Sequence, residues 1–184
     1  LVYESFGWEH GVFVGSAISS ESTAASTGKL GVLSHNPMAM KPFCGYNMGE
    51  YFKHWLEMGE ELGNKAPKIF NVNWFRTDEN GKFLWPGFAD NLRVLDWILK
   101  RCDNTTKAEE TPIGYVPLKK DIDLNETDIS QETLENLLNI DKDIWLKEVE
   151  DLKDFYKIFG NDLPQELETE LNSLKTRLEN QKNA

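Results

Sequence analysis

Apolar residues change their spacing several times along this chain. Gly11 to Ile18 (Gly-Val-Phe-Val-Gly-Ser-Ala-Ile) is a short apolar run with small residues, which predicts a buried strand. Ser19 to Gly28 has no large apolar anchor and predicts a mobile loop. Lys29 to Ser34 predicts another short strand, and His35-Asn36-Pro37 a turn. Met48, Tyr51, Phe52 and Trp55 recur at helical spacing, so a helix is expected from Met48 to Met58, ended by Gly59. Pro67 to Arg76 reads as a strand through Ile69, Phe70, Val72 and Trp74. Asn80-Gly81 then predicts a type I′ hairpin, whose two central residues both need positive φ. That turn would bring Phe75 and Phe83 toward each other. Pro86-Gly87 turns the chain again, and Asp90 to Arg101 predicts a helix whose last residues, Lys100 and Arg101, suit its dipole.

Beyond an extended stretch from Thr111 to Pro117, the pattern is helical. Trp145, Val149, Leu152, Tyr156 and Phe159 make one stripe, closed by Gly160. Leu163, Leu167, Leu171, Leu174 and Leu178 make a second, with Asp162 as its expected cap and Pro164 in its first turn. Sustained heptads are lacking, so an antiparallel helix pair is expected rather than a partner-binding coiled coil. The fold class that follows is mixed α/β, with short strands and a hairpin in the N-terminal half and helices in the C-terminal half.

Charge divides the chain in the same way. Residues 1–101 carry 10 Lys/Arg and 11 Asp/Glu, and residues 102–184 carry 10 and 20. No basic patch suits a nucleic acid, and no apolar run approaches the roughly 20 residues of a membrane span. Cys44 and Cys102 are far apart and read as reduced thiols of an intracellular protein. The chain opens on Leu1-Val2-Tyr3 without an initiator Met, which reads as a cut inside a larger protein.

The chemistry in the sequence is sparse. Gly28-Lys29 and Gly81-Lys82 are the only Gly-Lys pairs, and neither completes a phosphate-binding Gly-x-x-x-x-Gly-Lys-Ser/Thr loop. His10 and His35 flank expected turns, His54 sits in the expected helix, and none pairs at metal-ligand spacing. The residues from Asn73 to Asn91 are different: three Phe and two Trp surround the hairpin. Those rings could be core, since burying one stabilises a fold by about 2 kcal/mol. Core is the commoner fate of such rings, and the alternative is that they stack a flat base. Gly87 would allow close approach, the amides of Ala89 and Asp90 sit near a helix start, and the Asn91 side chain could bond a base edge. Stacking alone accepts any base, so discrimination would fall to those polar groups. The small-residue loop is likewise either plain surface or a lid hinged near Gly15 and Gly28.

Several long segments resemble GTP-dependent phosphoenolpyruvate carboxykinase. They are Trp8 to Gly15, Pro37 to Asn47, Asn73 to Asn91 and Pro112 to Pro117. The resemblance runs through nearly the whole chain, in order, and is to roughly the C-terminal third of that enzyme. Residues 1–184 would then belong to a larger nucleotide-binding domain, with 1–101 as the lid and guanine-site portion and 102–184 as an acidic, mainly helical portion. The resemblance implies interconversion of oxaloacetate plus GTP with phosphoenolpyruvate, GDP and carbon dioxide, a step of gluconeogenesis. It implies a guanine base sandwiched by Phe75, Phe83 and Phe88, with Ala89, Asp90 and Asn91 at the base edge. It also implies a lid over Ser20, Glu21, Ser22, Thr23, Ala24, Ala25, Ser26, Thr27, Gly28 and Lys29. Closing it would shield an enolate from protonation. Manganese or magnesium would serve the parent enzyme through ligands outside this chain, as would the P-loop and the arginines for substrate. No catalytic residue falls on these 184 positions, so the isolated chain is expected to be inactive. A monomeric, cytoplasmic parent is expected, with the mitochondrial matrix as the alternative compartment.

Two other readings stand beside this one. The chain could be a non-catalytic nucleotide-binding module with the same aromatic cage. It could also be an interaction domain whose acidic helices dock a partner.

Overall fold

The computed structural model describes residues 1–21 and 33–181. In chain order the regular elements are β1 (Val2–Glu4), α1 (Trp8–Ser16), β2 (Ser19–Glu21), β3 (Leu33–His35) and α2 (Met48–Leu62). Then follow β4 (Phe70–Val72), α3 (Asn91–Cys102), β5 (Glu109–Thr111), β6 (Gly114–Val116), α4 (Gln131–Leu138), α5 (Lys142–Tyr156) and α6 (Gln165–Asn180). The mixed α/β class is as the sequence predicts, though the β5–β6 hairpin adds strands to the half expected to be helical. These elements form two units. One comprises Leu1–Phe6 and Lys68–Asp141, the other Gly7–Pro67 and Lys142–Ala184.

The first unit is built on an antiparallel sheet of order β4-β1-β6-β5. Val2 faces Val72 and Glu4 faces Phe70 across the β1–β4 pair. The extended stretch expected at Thr111 to Pro117 is broken by the turn between β5 and β6. Gly114, the first residue of β6, is where that strand lies closest to β1: its φ is 141°, and a Cβ there would lie 2.4 Å from the Glu4 carbonyl oxygen. Val94 and Trp97 bring one face of α3 into the core, and Leu134 and Leu137 do the same for α4. Ser130 caps α4 by accepting from the Thr133 amide at 3.0 Å. These side chains join Val2, Trp85 and Ile122 in one cluster. The strand expected over Pro67 to Arg76 is confined to β4, because past Val72 the chain leaves the sheet for the turn around residue 80.

The second unit corrects a larger expectation. Gly11 to Ser16 belongs to helix α1, not a strand. His10, Gly11, Val12, Phe13, Val14 and Ser16 are all buried, so the helix is covered on most sides and shows no amphipathic period. The Ser16 hydroxyl meets that of Tyr156 at 2.5 Å. Helix α2 also runs past its expected end at Gly59. That glycine is a packing site: a Cβ would fall 2.2 Å from Cδ1 of Trp8. The helix stops instead at Gly63, with φ of 50°. Asp162 does not cap α6, whose N-cap residue is Pro164. Its carboxylate accepts from Nδ2 of Asn47 at 2.6 Å, and Asn47 itself caps α2. Helices α5 and α6 form the expected antiparallel pair, tied by Lys175 to Glu150 at 2.8 Å and by Lys142 to the Glu179 carbonyl at 3.0 Å.

Candidate functional site

The residues from Asn73 to Asn91 form two legs joined by a tight turn, all within the first unit. Leu84 N–H donates to Arg76 O and Asp78 N–H to Lys82 O, each at 2.8 Å. The turn is not the expected type I′. Gly81 has φ of 78°, but Asn80 is not among the positive-φ residues. Asp78 organises the loop instead. Its Oδ1 accepts from the amides of Asn80 and Lys82 at 2.9 Å, and its carbonyl accepts from Gly81 N–H at 3.0 Å. The result is a three-residue Glu79-Asn80-Gly81 loop with glycine in the left-handed position, which still brings the two legs together.

The legs sort their rings by side. Trp74 and Trp85 stack on the inner side, with centroids 6.2 Å apart and planes at 30°. Phe75 and Phe83 meet edge to face at 6.1 Å and are 72% and 57% exposed. Phe88 is 96% exposed. Among the described residues it makes no ring contact with Phe75 or Phe83. Gly87, with φ of 77°, throws it outward, and Phe88 itself has φ of 44°. Arg76 anchors the first leg, donating from Nη1 to the carbonyls of Asn136 at 2.8 Å and Leu137 at 3.1 Å, at the end of α4.

The polar residues at the start of α3 are partly engaged. Asp90 pairs with Nε of Arg93 at 2.9 Å, and its N–H returns to Gly87 O at 3.1 Å. Asn91 accepts from the indole N–H of Trp85 through Oδ1 at 2.8 Å. The Arg76 anchor and this Trp85 bond are the two site features that sequence reasoning misses. Residues six or sixty apart show no period that would reveal them.

Of the expected lid, Ser20 and Glu21 lie in β2, facing Ser34 and Leu33 of β3. Ser22 to Lys29, with the expected hinge at Gly28, lie outside the described residues. Gly15, the other expected hinge, is part of α1, where a Cβ would lie 3.1 Å from Met38 Cγ.

His10 and His35 are engaged in packing. His10 is buried in α1, and burial, aided by the charge of Arg177, lowers its pKa to about 4. His35 stacks on Phe155 at 4.3 Å, and His54 lies on the exposed side of α2. Among the described residues no group of three or more His, Cys, Asp or Glu could hold a metal ion. The divalent metal that the resemblance implies therefore finds no fitting donor set among the described residues. None of the described helices is long and apolar enough to cross a membrane.

A family model described as the phosphoenolpyruvate carboxykinase C-terminal P-loop domain matches residues 1–177. The chain is 51% identical over 179 residues to a phosphoenolpyruvate carboxykinase [GTP] of Chlamydia pneumoniae, covering 97% of this chain and 30% of that protein. It is 49% identical over 178 residues to the protein of that name from Thermoplasma volcanium, covering 97% and 30%. A relative from Mus musculus, named as mitochondrial, is 49% identical over 180 residues, covering 97% and 28%. The chain thus spans about 30% of the length of the relatives it matches.

Proposed function

The chain belongs to the GTP-dependent phosphoenolpyruvate carboxykinase family, by its C-terminal P-loop domain, and on that premise we propose that it selects the guanine nucleotide for such an enzyme. The enzyme would interconvert oxaloacetate plus GTP with phosphoenolpyruvate, GDP and carbon dioxide. Phe75, Phe83 and Phe88 would stack the base, and Ala89, Asp90 and Asn91 would meet its edge.

One observation carries this reading over the core alternative. Neighbouring aromatic residues normally bury their rings, yet Phe75, Phe83 and Phe88 hold theirs out while Trp74 and Trp85 fill the interior behind them. The exposed pair stands on a hairpin fixed by Asp78 and Arg76, so the stacking surface exists before a ligand arrives. The bond-breaking chemistry is assigned to none of the described residues. The resemblance gives the segment beginning at Ser20 and Glu21 the part of lid.

Equilibrium titration of the full-length protein with GDP and ADP tests the assignment. GDP is expected to bind more tightly, and the preference is expected to survive removal of any one phenylalanine while both affinities fall. Equal affinity for the two nucleotides would sink it. The 184-residue chain alone is expected to form no phosphoenolpyruvate.

A further inference from the structure

We propose that Trp85 is a positioning residue for purine selection: its indole N–H holds the Asn91 amide so that the NH2 group, not the oxygen, is left to meet the base. The proposal rests on the guanine reading above and names the device by which that site would tell one purine from another.

An indole N–H can only donate, so the Asn91 atom 2.8 Å from it must be the acceptor oxygen. The amide orientation follows from chemistry rather than from how its two ends are labelled. Trp85 is 2% exposed and stacked on Trp74, so its indole cannot swing away. With Oδ1 turned toward the buried indole, Asn91 directs its NH2 group and its two donors the other way, from the first turn of α3, three residues after Phe88.

Guanine carries an acceptor oxygen at its 6-position, where adenine carries a donor amino group. A fixed NH2 at this place pairs with guanine and opposes adenine donor to donor. Such a mismatch discriminates well, because it leaves polar groups of both partners unpaired. A free amide could turn over and accept from adenine instead. The Trp85 bond is also no general requirement of burial in this fold, since the buried indole nitrogens of Trp55 and Trp97 have no partner.

The test compares GDP and ADP dissociation constants in the full-length protein. Trp85→Phe keeps a ring against Trp74 and removes the N–H. The ratio of ADP to GDP constants is expected to fall about tenfold, the worth of one well-placed hydrogen bond. A purely structural role would weaken both nucleotides alike and leave the ratio unchanged, which would overturn the proposal. Asn91→Asp separates this failure from failure of the site itself: its carboxylate still accepts from Trp85 but turns an acceptor to the base, so preference should move toward ADP. If N91D shifts the ratio and W85F does not, the guanine site stands and Trp85 is not its positioning residue. If neither shifts it, the base-edge reading of Asn91 falls, and this proposal with it. Should W85F fail to fold by circular dichroism, benzothienylalanine at position 85 supplies the same outline with sulfur in place of N–H, and the same ratio decides.

Discussion

Arg101, in the last turn of α3, holds the carboxylate of Glu4, the last residue of β1, at 2.5 Å. Both side chains are withdrawn from solvent, and Lys68 reaches the other carboxylate oxygen at 3.3 Å. Arg101 also donates to the Thr106 carbonyl at 2.8 Å, so the guanidinium satisfies more than one acceptor. Removing one partner of such a buried pair leaves the other charge uncompensated. Glu4→Ala should therefore lower stability by about 3–5 kcal/mol in urea unfolding, and Lys68→Ala, from the more exposed partner, by about 1 kcal/mol or less. Similar small losses in both variants would show that the pair does not bind helix to sheet.

Gly59 should resist the substitution that helix propensity favours. Alanine at an ordinary mid-helix glycine stabilises by about 1 kcal/mol. Here the new methyl would enter the ring of Trp8, which is itself held by a bond from its indole to the Trp55 carbonyl at 2.6 Å. Gly59→Ala is expected to destabilise by about 1–3 kcal/mol, as overpacking does. Gly45→Ala, outside any helix and with nothing within 4 Å of a Cβ, serves as the control and should stay near neutral. A thermal scan of both variants measures the contrast.

Phe88 should trade stability against binding. Its φ of 44° is costly for a side-chain-bearing residue, and its ring packs on nothing that would offset that cost. Phe88→Gly should raise stability by about 1 kcal/mol while weakening GDP by about 1–3 kcal/mol, the worth of one base–aromatic stack. Loss of stability together with binding would mean that the ring is a packing element after all.

His10 should give the second unit an acid-sensitive step. Its pKa falls from 6.5 unfolded to about 4 folded, through burial first and Arg177 second. Below pH 6.5 the unfolded chain takes up a proton that the folded chain refuses. Stability therefore declines as pH falls through the window from 6.5 to 4, by about 3 kcal/mol in all, and this contribution is constant above it. Urea midpoints at pH 7 and pH 5 should differ by less in His10→Phe than in the parent chain. An unchanged difference would remove His10 from the account.

Local signals predicted the elements whose period is plain: α2, α3, the α5–α6 pair and the turn at residue 80. They failed where tertiary contacts decide. The run from Gly11 is apolar on every side because α1 is central, and a fully buried helix and a buried strand look alike in sequence. Gly59 and Asp162 carry the usual marks of a helix end and a helix cap, but Trp8 and Asn47 claim them, and both lie far off in the chain. For the site, the aromatic block is visible in the sequence, and the roles proposed for it come from the resemblance. Which rings face out was not legible, nor was the Trp85 bond to Asn91, since both depend on how the two legs fold against α3 and α4.

The β1–β4 pair has a kinetic consequence. Ser5 N–H bonds Ile69 O at 2.9 Å, so the chain leaves the first unit after Phe6, builds part of the second over Gly7–Pro67, and returns to the place it left. In geometry this is a hairpin whose turn is about sixty residues long. Closing it costs about 2 kcal/mol more chain entropy than a four-residue turn would, because the cost grows only with the logarithm of length. The central strand of the first sheet must then wait for a long-range encounter, while α3, α4 and the β5–β6 hairpin can form from near neighbours. Replacing Gly7–Pro67 by a short turn should speed the folding of the first unit and leave its strand register intact.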